Sequence, residues 1–85
     1  MINKLENFKK RLIYRASYRG TKEMDILLGN FVNKYINEFN ENMLLELEKF
    51  LNFEDEIILN FYNFDIKEKK IEENKISKIF KEFKI

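Results

Sequence analysis

Charged side chains flank a glycine near the amino end of the chain. Arg15 and Arg19 are the last two of three arginines spaced four residues apart, Gly20 follows directly, and Glu23 and Asp25 come next. Guanidinium groups donate paired hydrogen bonds to carboxylates and carbonyls, whereas carboxylates accept from cations. A surface that binds a charged or polar partner is therefore one interpretation of this pattern.

The residue types needed for catalysis are scarce. The chain has no histidine and no cysteine, and its hydroxyl side chains are limited to Ser17, Thr21 and Ser77. This removes thiolate nucleophiles, most zinc sites and the usual proton shuttle at neutral pH. No glycine-rich phosphate loop or metal-ligand cluster appears. We expect no catalytic residue, no metal site and no enzymatic activity.

Two interpretations of the charged pattern remain open from the residues alone. Arg19 and Glu23 lie four positions apart across Gly20, so they could simply pair with each other. An exposed pair of this kind contributes at most about 1 kcal/mol, and the glycine would then only end a helix. The alternative is a functional surface, and the two interpretations have equal weight at this point.

Helices must position these residues, since apolar side chains recur at three- and four-residue intervals nearly throughout. A first helix is predicted over residues 3–18 with Gly20 as its stop. The clearest stripe runs from Met24 to Phe39 and predicts a second helix that forms the centre of the core. Gly29 within it indicates either close packing of a neighbouring helix or a tolerated loss of about 1 kcal/mol.

Capping residues predict three further helices. Asn40 is the expected N-cap of a third helix that ends near Asn52, and Asn52 or Asp55 is the expected N-cap of a fourth. Residues 65–68 resemble a capping box before a last helix, in which four residues share one face: Ile76, Ile79, Phe80 and Phe83. The Lys/Glu-rich segment 67–75 is expected to fray in part.

The predicted architecture is all-α. We expect a single domain over residues 1–85, a small compact bundle of about five helices with fraying in the last ~15 residues. Net charge is only +1, but it is uneven along the chain: residues 1–25 carry +4, residues 26–65 carry −6 and residues 66–85 carry +3. No signal peptide or membrane-spanning segment is apparent, which predicts a soluble, cytoplasmic, bacterial protein.

The segment around Gly20 resembles a known family. Residues 19–23, Arg-Gly-Thr-Lys-Glu, match the Arg-Gly-x-x-Glu motif of the small succinate dehydrogenase assembly factors, also called flavinylation factors. The run RLIYRASYRGTKEMDILLGNF over residues 11–31 looks like the opening of that family, and the similarity extends over residues 5–65. One departure is the fourth helix, where the family commonly has a tryptophan and this chain has Asn60, Phe61 and Tyr62.

The resemblance implies an assembly chaperone. Its partner would be the flavoprotein subunit of succinate dehydrogenase, with the flavoprotein of fumarate reductase left open as a second client. The chaperone would promote covalent attachment of FAD to a histidine of that subunit by positioning, without doing the bond chemistry. FAD would belong to the partner, with no cofactor held stably by this chain. We expect a monomer when free, with no nucleic acid partner and no membrane insertion.

The resemblance also assigns partner-binding residues. Arg19, Gly20 and Glu23 are expected to face the flavoprotein, with Arg19 donating to a carboxylate or carbonyl and Glu23 accepting from a cation of the partner. Asp25 and Arg15 are secondary candidates. Replacing Arg19 or Glu23 with alanine is expected to leave the helical fold intact and to reduce covalent flavin.

Two rival functions come from other classes. A nucleic-acid module would use six cations as a phosphate-binding face with Tyr14 and Tyr18 between them: Lys9, Lys10, Arg11, Arg15, Arg19 and Lys22. The acidic middle of the chain argues against it. A helical adaptor or antitoxin-like regulator would instead bury surplus aromatic side chains against an unrelated protein.

Overall fold

The computed structural model describes residues 4–64 and 75–84, and these residues form helices without any strand. The helices are α1 (Lys4–Ser17), α2 (Lys22–Tyr35), α3 (Glu41–Leu51), α4 (Asp55–Phe64) and α5 (Lys75–Glu82), with a 3-10 turn at Ile36–Glu38. The predicted all-α class and the number of helices are confirmed.

Gly20 makes the turn between α1 and α2. Its φ of +118° is one that residues with a Cβ rarely adopt, so glycine is required here by the backbone. Thr21 then caps α2, because its side chain accepts a hydrogen bond from the backbone N–H of Met24 at 3.3 Å. The predicted end of the first helix at this glycine is confirmed.

Gly29 lies where α1 packs closely on α2. A Cβ at this position would be 3.3 Å from Oγ of Ser17 and 3.6 Å from its Cα. Of the two sequence interpretations, close packing of a neighbouring helix is therefore correct. This contact places the last turn of α1, which leads into the arginine motif, directly against α2.

The second helix is shorter than its apolar stripe predicts. The α-helix ends at Tyr35, a 3-10 turn follows, and Phe39 is extended with φ −87° and ψ 134°. Asn40 is also extended, which is the usual backbone conformation of an N-cap residue. Its side chain caps α3 by accepting a hydrogen bond from the N–H of Met43 at 2.9 Å. Phe39 is still buried, so position 39 is apolar because it belongs to the core and not because α2 continues through it.

The junction of α3 and α4 differs from prediction in its capping. Asn52 is the C-cap of α3, as its backbone N–H donates to the carbonyl of Lys49 at 3.2 Å. Asp55 is already the first residue of α4. Neither residue therefore has the predicted role of N-cap for the fourth helix, and the carboxylate of Asp55 has another partner, described below.

The core contains apolar residues from every described helix, and α2 contributes more of them than any other helix, in line with the prediction. Phe31 lies at its centre, with ring centroids 5.1 Å from Phe80 and 5.5 Å from Phe83. The predicted apolar face of the last helix is confirmed, since Ile76 and Phe80 of α5 and Phe83 just after it are buried, and Ile79 packs against the core. The predicted capping box at 65–68 lies outside the described residues, as does all of the predicted fraying segment 67–75 except Lys75, which begins α5.

Candidate functional site

The guanidinium of Arg19 is bound within the chain. Its Nε donates to Oδ1 of Asp55 at 2.8 Å, Nη1 to the carbonyl of Leu51 at 2.6 Å, and Nη2 to the carbonyl of Phe53 at 2.7 Å. The Arg19 side chain is only 10% exposed. One side chain therefore ties the α1–α2 junction to the end of α3 and the start of α4.

These contacts suit both helix ends electrostatically. Carbonyls at the C-terminal end of a helix lack intrahelical donors and carry partial negative charge, so a cation near Leu51 is stabilised. Asp55 sits at the positive end of α4, where a carboxylate is also favoured. Arg19 thus links two complementary helix ends, and we call this set of contacts the Arg19 clamp.

Arg15 reinforces the same connection. Its Nη2 donates to the side-chain oxygen of Asn52, the residue that ends α3. Arg15 lies in the last turn of α1, and Arg19 follows in the turn after that helix. Both predicted site arginines therefore contact the α3–α4 loop of their own chain.

Asp25 secures the turn from the other side. Its Oδ1 accepts hydrogen bonds from the backbone N–H of Arg19 and, at 3.3 Å, from that of Gly20. The carboxylate therefore satisfies donors in the turn in addition to lying in the first turn of α2. This places Asp25 as a support of the motif backbone.

Glu23 is left exposed beside this scaffold. Within residues 4–64 and 75–84 its carboxylate has no hydrogen bond or ion pair, so it does not pair with Arg19. Gly20, Thr21 and Lys22 are exposed as well. We call Gly20 to Glu23 the motif edge, an exposed strip of backbone and side chain that is fixed from below by the Arg19 clamp and Asp25.

Two tyrosines of α1 and the turn after it extend the exposed surface. Tyr14 is 65% exposed and Tyr18 is 69% exposed, with ring centroids 4.6 Å apart. The sequence pattern associated them only with nucleic-acid binding. The structure shows that the two rings form an exposed aromatic pair shortly before the motif edge.

The sequence predicted the motif but not the clamp. The prediction that Arg19 contacts a partner is untested, while the structure places its guanidinium against Asp55 and two carbonyls. These acceptors lie 32 to 36 positions further along the chain. Helical spacing reports only neighbours three or four residues apart, and backbone carbonyls carry no residue-type signal at all.

The groups at this site can form polar and aromatic contacts. In the described part of the chain no group of acidic residues could hold a metal ion, and no helix is long and apolar enough to cross a membrane. The arrangement offers a fixed backbone, an exposed carboxylate and an adjacent aromatic pair. These groups can donate and accept hydrogen bonds and pair with charges.

Comparison with known proteins identifies relatives. The chain is similar to the mitochondrial succinate dehydrogenase assembly factor 2-B of Drosophila willistoni, with 42% identity over 48 residues covering 56% of this chain and 31% of that protein. It is 43% identical over 51 residues to the mitochondrial assembly factor 2 of Scheffersomyces stipitis, covering 60% of this chain and 34% of the relative. The aligned segments thus span about a third of these relatives.

A relative from a plant matches in the same way. The mitochondrial succinate dehydrogenase assembly factor 2 of Arabidopsis thaliana is 42% identical over 45 residues, which cover 53% of this chain and 24% of that protein. No solved structure matches the chain. A family model described as flavinator of succinate dehydrogenase matches residues 10–84. Because that match includes the motif and all but the first turns of α1, the chain belongs to the family of succinate dehydrogenase flavinators.

Proposed function

We propose that this chain is an assembly chaperone that binds the flavoprotein subunit of succinate dehydrogenase and promotes the covalent attachment of FAD to it. The family match supports the proposal, since its description concerns flavination of this enzyme. The names of the relatives support a role in assembly of the same enzyme. FAD belongs to the flavoprotein in this proposal.

Positioning is the mechanism that fits the residues. A proton shuttle at neutral pH calls for a group that titrates there, and the chain has no histidine and no cysteine. Holding reacting groups in the right geometry can itself lower the barrier, because the entropy of alignment is lost on binding and not in the transition state. Bond formation would take place at the flavoprotein's own histidine.

The motif edge carries the proposal. A partner can approach Gly20 closely, because even a Cβ there would meet no atom within 4 Å. Glu23 is exposed and unpaired among the described residues, so it can accept from a cation of the flavoprotein. In this arrangement the clamp keeps the edge in one orientation.

The other candidate residues have distinct parts. Asp25 and Arg15 would act through the shape of the edge, since their polar groups contact Arg19, Gly20 and Asn52. Arg19 has three donors engaged within the chain. A guanidinium has five N–H groups, so two of them are not used by the clamp, and in this proposal a partner reaches them at the exposed tenth of the side chain.

The structure weakens the nucleic-acid alternative. Three of the six cations assigned to a phosphate-binding face, Lys9, Arg15 and Arg19, are hydrogen-bonded within the chain. Location is a separate matter: the cytoplasmic assignment stays a prediction, and the relatives are named as mitochondrial proteins.

The test is flavination in a reconstituted system. The flavoprotein subunit would be incubated with FAD and the purified chain, and covalent flavin measured as fluorescence of the denatured subunit on a gel. Glu23→Ala is expected to reduce the rate of covalent attachment roughly tenfold or more, as loss of a charged contact at an interface centre does.

A matched control accompanies this variant. Glu41 is also exposed and also lies in the first turn of a helix, so Glu41→Ala removes the same charge from a comparable place on α3. It is expected to flavinate at the wild-type rate. Equal rates for both variants and the wild type would remove Glu23 from the mechanism, and no stimulation by the wild-type chain would refute the function.

A further inference from the structure

A cleft opens between α2 and α4 beside the motif edge. Its volume is about 220 Å³. It is lined by Glu23, Ile26, Leu27, Leu59, Tyr62 and Asn63. Leu27 is buried, whereas Ile26 is 43% exposed, so the apolar surface of the cleft continues out to solvent.

The cleft is apolar with one charge. Glu23 is its single ionisable carboxylate, and it also ends the motif edge, so the two surfaces are continuous. Ile26 is one of four large apolar side chains exposed in the described part of the chain. Exposed apolar surface rimmed by polar side chains is a feature of protein interaction sites.

We propose that this cleft receives an apolar side chain of the flavoprotein, and that a lysine or arginine next to that side chain pairs with Glu23. The inference rests on the proposed function and names a second part of the same surface. Charge complementarity argues for the basic residue, because Glu23 lines the cleft and has no partner among the described residues.

The size of the cleft argues for a side chain over a small ligand. Pockets for drug-sized molecules are typically about 300–1,000 Å³, whereas this cleft is smaller and open. A volume of about 220 Å³ suits one large apolar side chain inserted from a partner surface. Tyr62 holds one wall in place, since its hydroxyl donates to the carbonyl of Phe83 at 2.6 Å.

The test compares two substitutions of the same kind. Ile26→Asp places a second carboxylate in the cleft, and Leu45→Asp makes a similar change at a side chain that is 51% exposed and lines a separate recess with Leu5 and Phe8. Dissociation constants for the purified flavoprotein subunit would be measured by calorimetry. Ile26→Asp is expected to weaken binding roughly tenfold or more, and Leu45→Asp less than about twofold.

Two further measurements separate an effect on folding from an effect on binding, and the ion pair of Glu23 from the apolar contact. Circular dichroism melting of both variants should match, because each substituted side chain is exposed. Glu23→Gln is expected to weaken binding and to reduce the loss of affinity that added salt causes for the wild type, since salt screens an ion pair at the surface.

The outcomes distinguish this inference from the proposed function. If the wild type and Ile26→Asp bind the flavoprotein equally, the cleft has no role while the proposed function stands. If the wild type does not bind the flavoprotein, both fail. Self-association of the wild type that Ile26→Asp abolishes, measured by sedimentation, would make the cleft a dimer interface and overturn the inference. Binding of free FAD that Ile26→Asp abolishes would overturn it as well.

Discussion

Arg19 belongs to a motif associated with partner binding and also holds the fold of its own chain together. Its guanidinium donates hydrogen bonds to Asp55 and to the backbone carbonyls of Leu51 and Phe53. With a side chain that is 10% exposed, it resembles a buried polar group more than a surface charge. The arginine of the motif therefore has a structural role, because its bonds hold the turn that carries Gly20 and Glu23.

Replacing Arg19 should cost stability. Arg19→Ala removes three hydrogen bonds and leaves Asp55 without its cation, so we expect a loss of about 2–4 kcal/mol in the free energy of unfolding. This differs from the sequence expectation that the variant leaves the fold intact. Urea denaturation followed by circular dichroism measures the change.

The control for this change is a basic residue on the same helix. Lys10 is exposed on α1, so Lys10→Ala is expected to alter the free energy of unfolding by less than about 0.5 kcal/mol. A double-mutant cycle between Arg19→Ala and Asp55→Asn should give a coupling energy above about 0.5 kcal/mol. Additive effects of the two substitutions would show that the ion pair contributes nothing.

Local rules of chain geometry explain which elements could be predicted from the sequence. Gly20 ends α1 and Asn40 caps α3, because each effect depends on a residue and its immediate neighbours. The end of α2 could not be predicted in this way. Phe39 continues the apolar spacing and is buried, but the cap at Asn40 requires extended backbone before α3. Because α2 ends at Tyr35, the chain can bury Phe39 and also become extended before α3.

The contact between α1 and α2 gives a test at the level of elements. Alanine at position 29 gains about 1 kcal/mol in helix propensity over glycine, but its Cβ would crowd Oγ of Ser17 at 3.3 Å. Removing that oxygen should release the conflict. We expect Gly29→Ala to be more stabilising, by about 0.5–1 kcal/mol, in a Ser17→Ala background than alone.

Thermal melting of the four proteins in this cycle measures the coupling. The Ser17→Ala protein serves as the reference for the double variant, so any effect of losing the hydroxyl is subtracted. An equal effect of Gly29→Ala in both backgrounds would mean that the helices move apart freely, and the close contact would then have no energetic role.

At the scale of the whole molecule, an aromatic centre joins α2, α3, α4 and α5. Phe80 of α5 is fully buried, with ring centroids 5.1 Å from both Phe31 and Phe50 and 5.0 Å from Tyr62. The helical period predicted that Phe80 faces inward. It could not predict which rings it meets, because contacts between distant helices leave no trace in spacing.

Truncating this ring should destabilise the entire fold. Phe80→Ala leaves a cavity among packed rings, and we expect a loss of about 3–5 kcal/mol in the free energy of unfolding. Lys78 is exposed on the same helix, so Lys78→Ala should change it by less than about 0.5 kcal/mol. Loss of the far-ultraviolet signal in a single transition would show that α5 unfolds with the rest, whereas an early separate transition would show that it does not.

The Arg19 clamp forms only when the chain is folded, so the geometry of the motif edge depends on the folded state. The bonds from Arg19 to Leu51, Phe53 and Asp55 cross 32 to 36 residues of sequence. A synthetic peptide of residues 11–31 would contain the whole motif but none of these acceptors. Such a peptide should fail to compete with the intact chain for the flavoprotein, so recognition would discriminate between folded and unfolded copies of the chaperone itself.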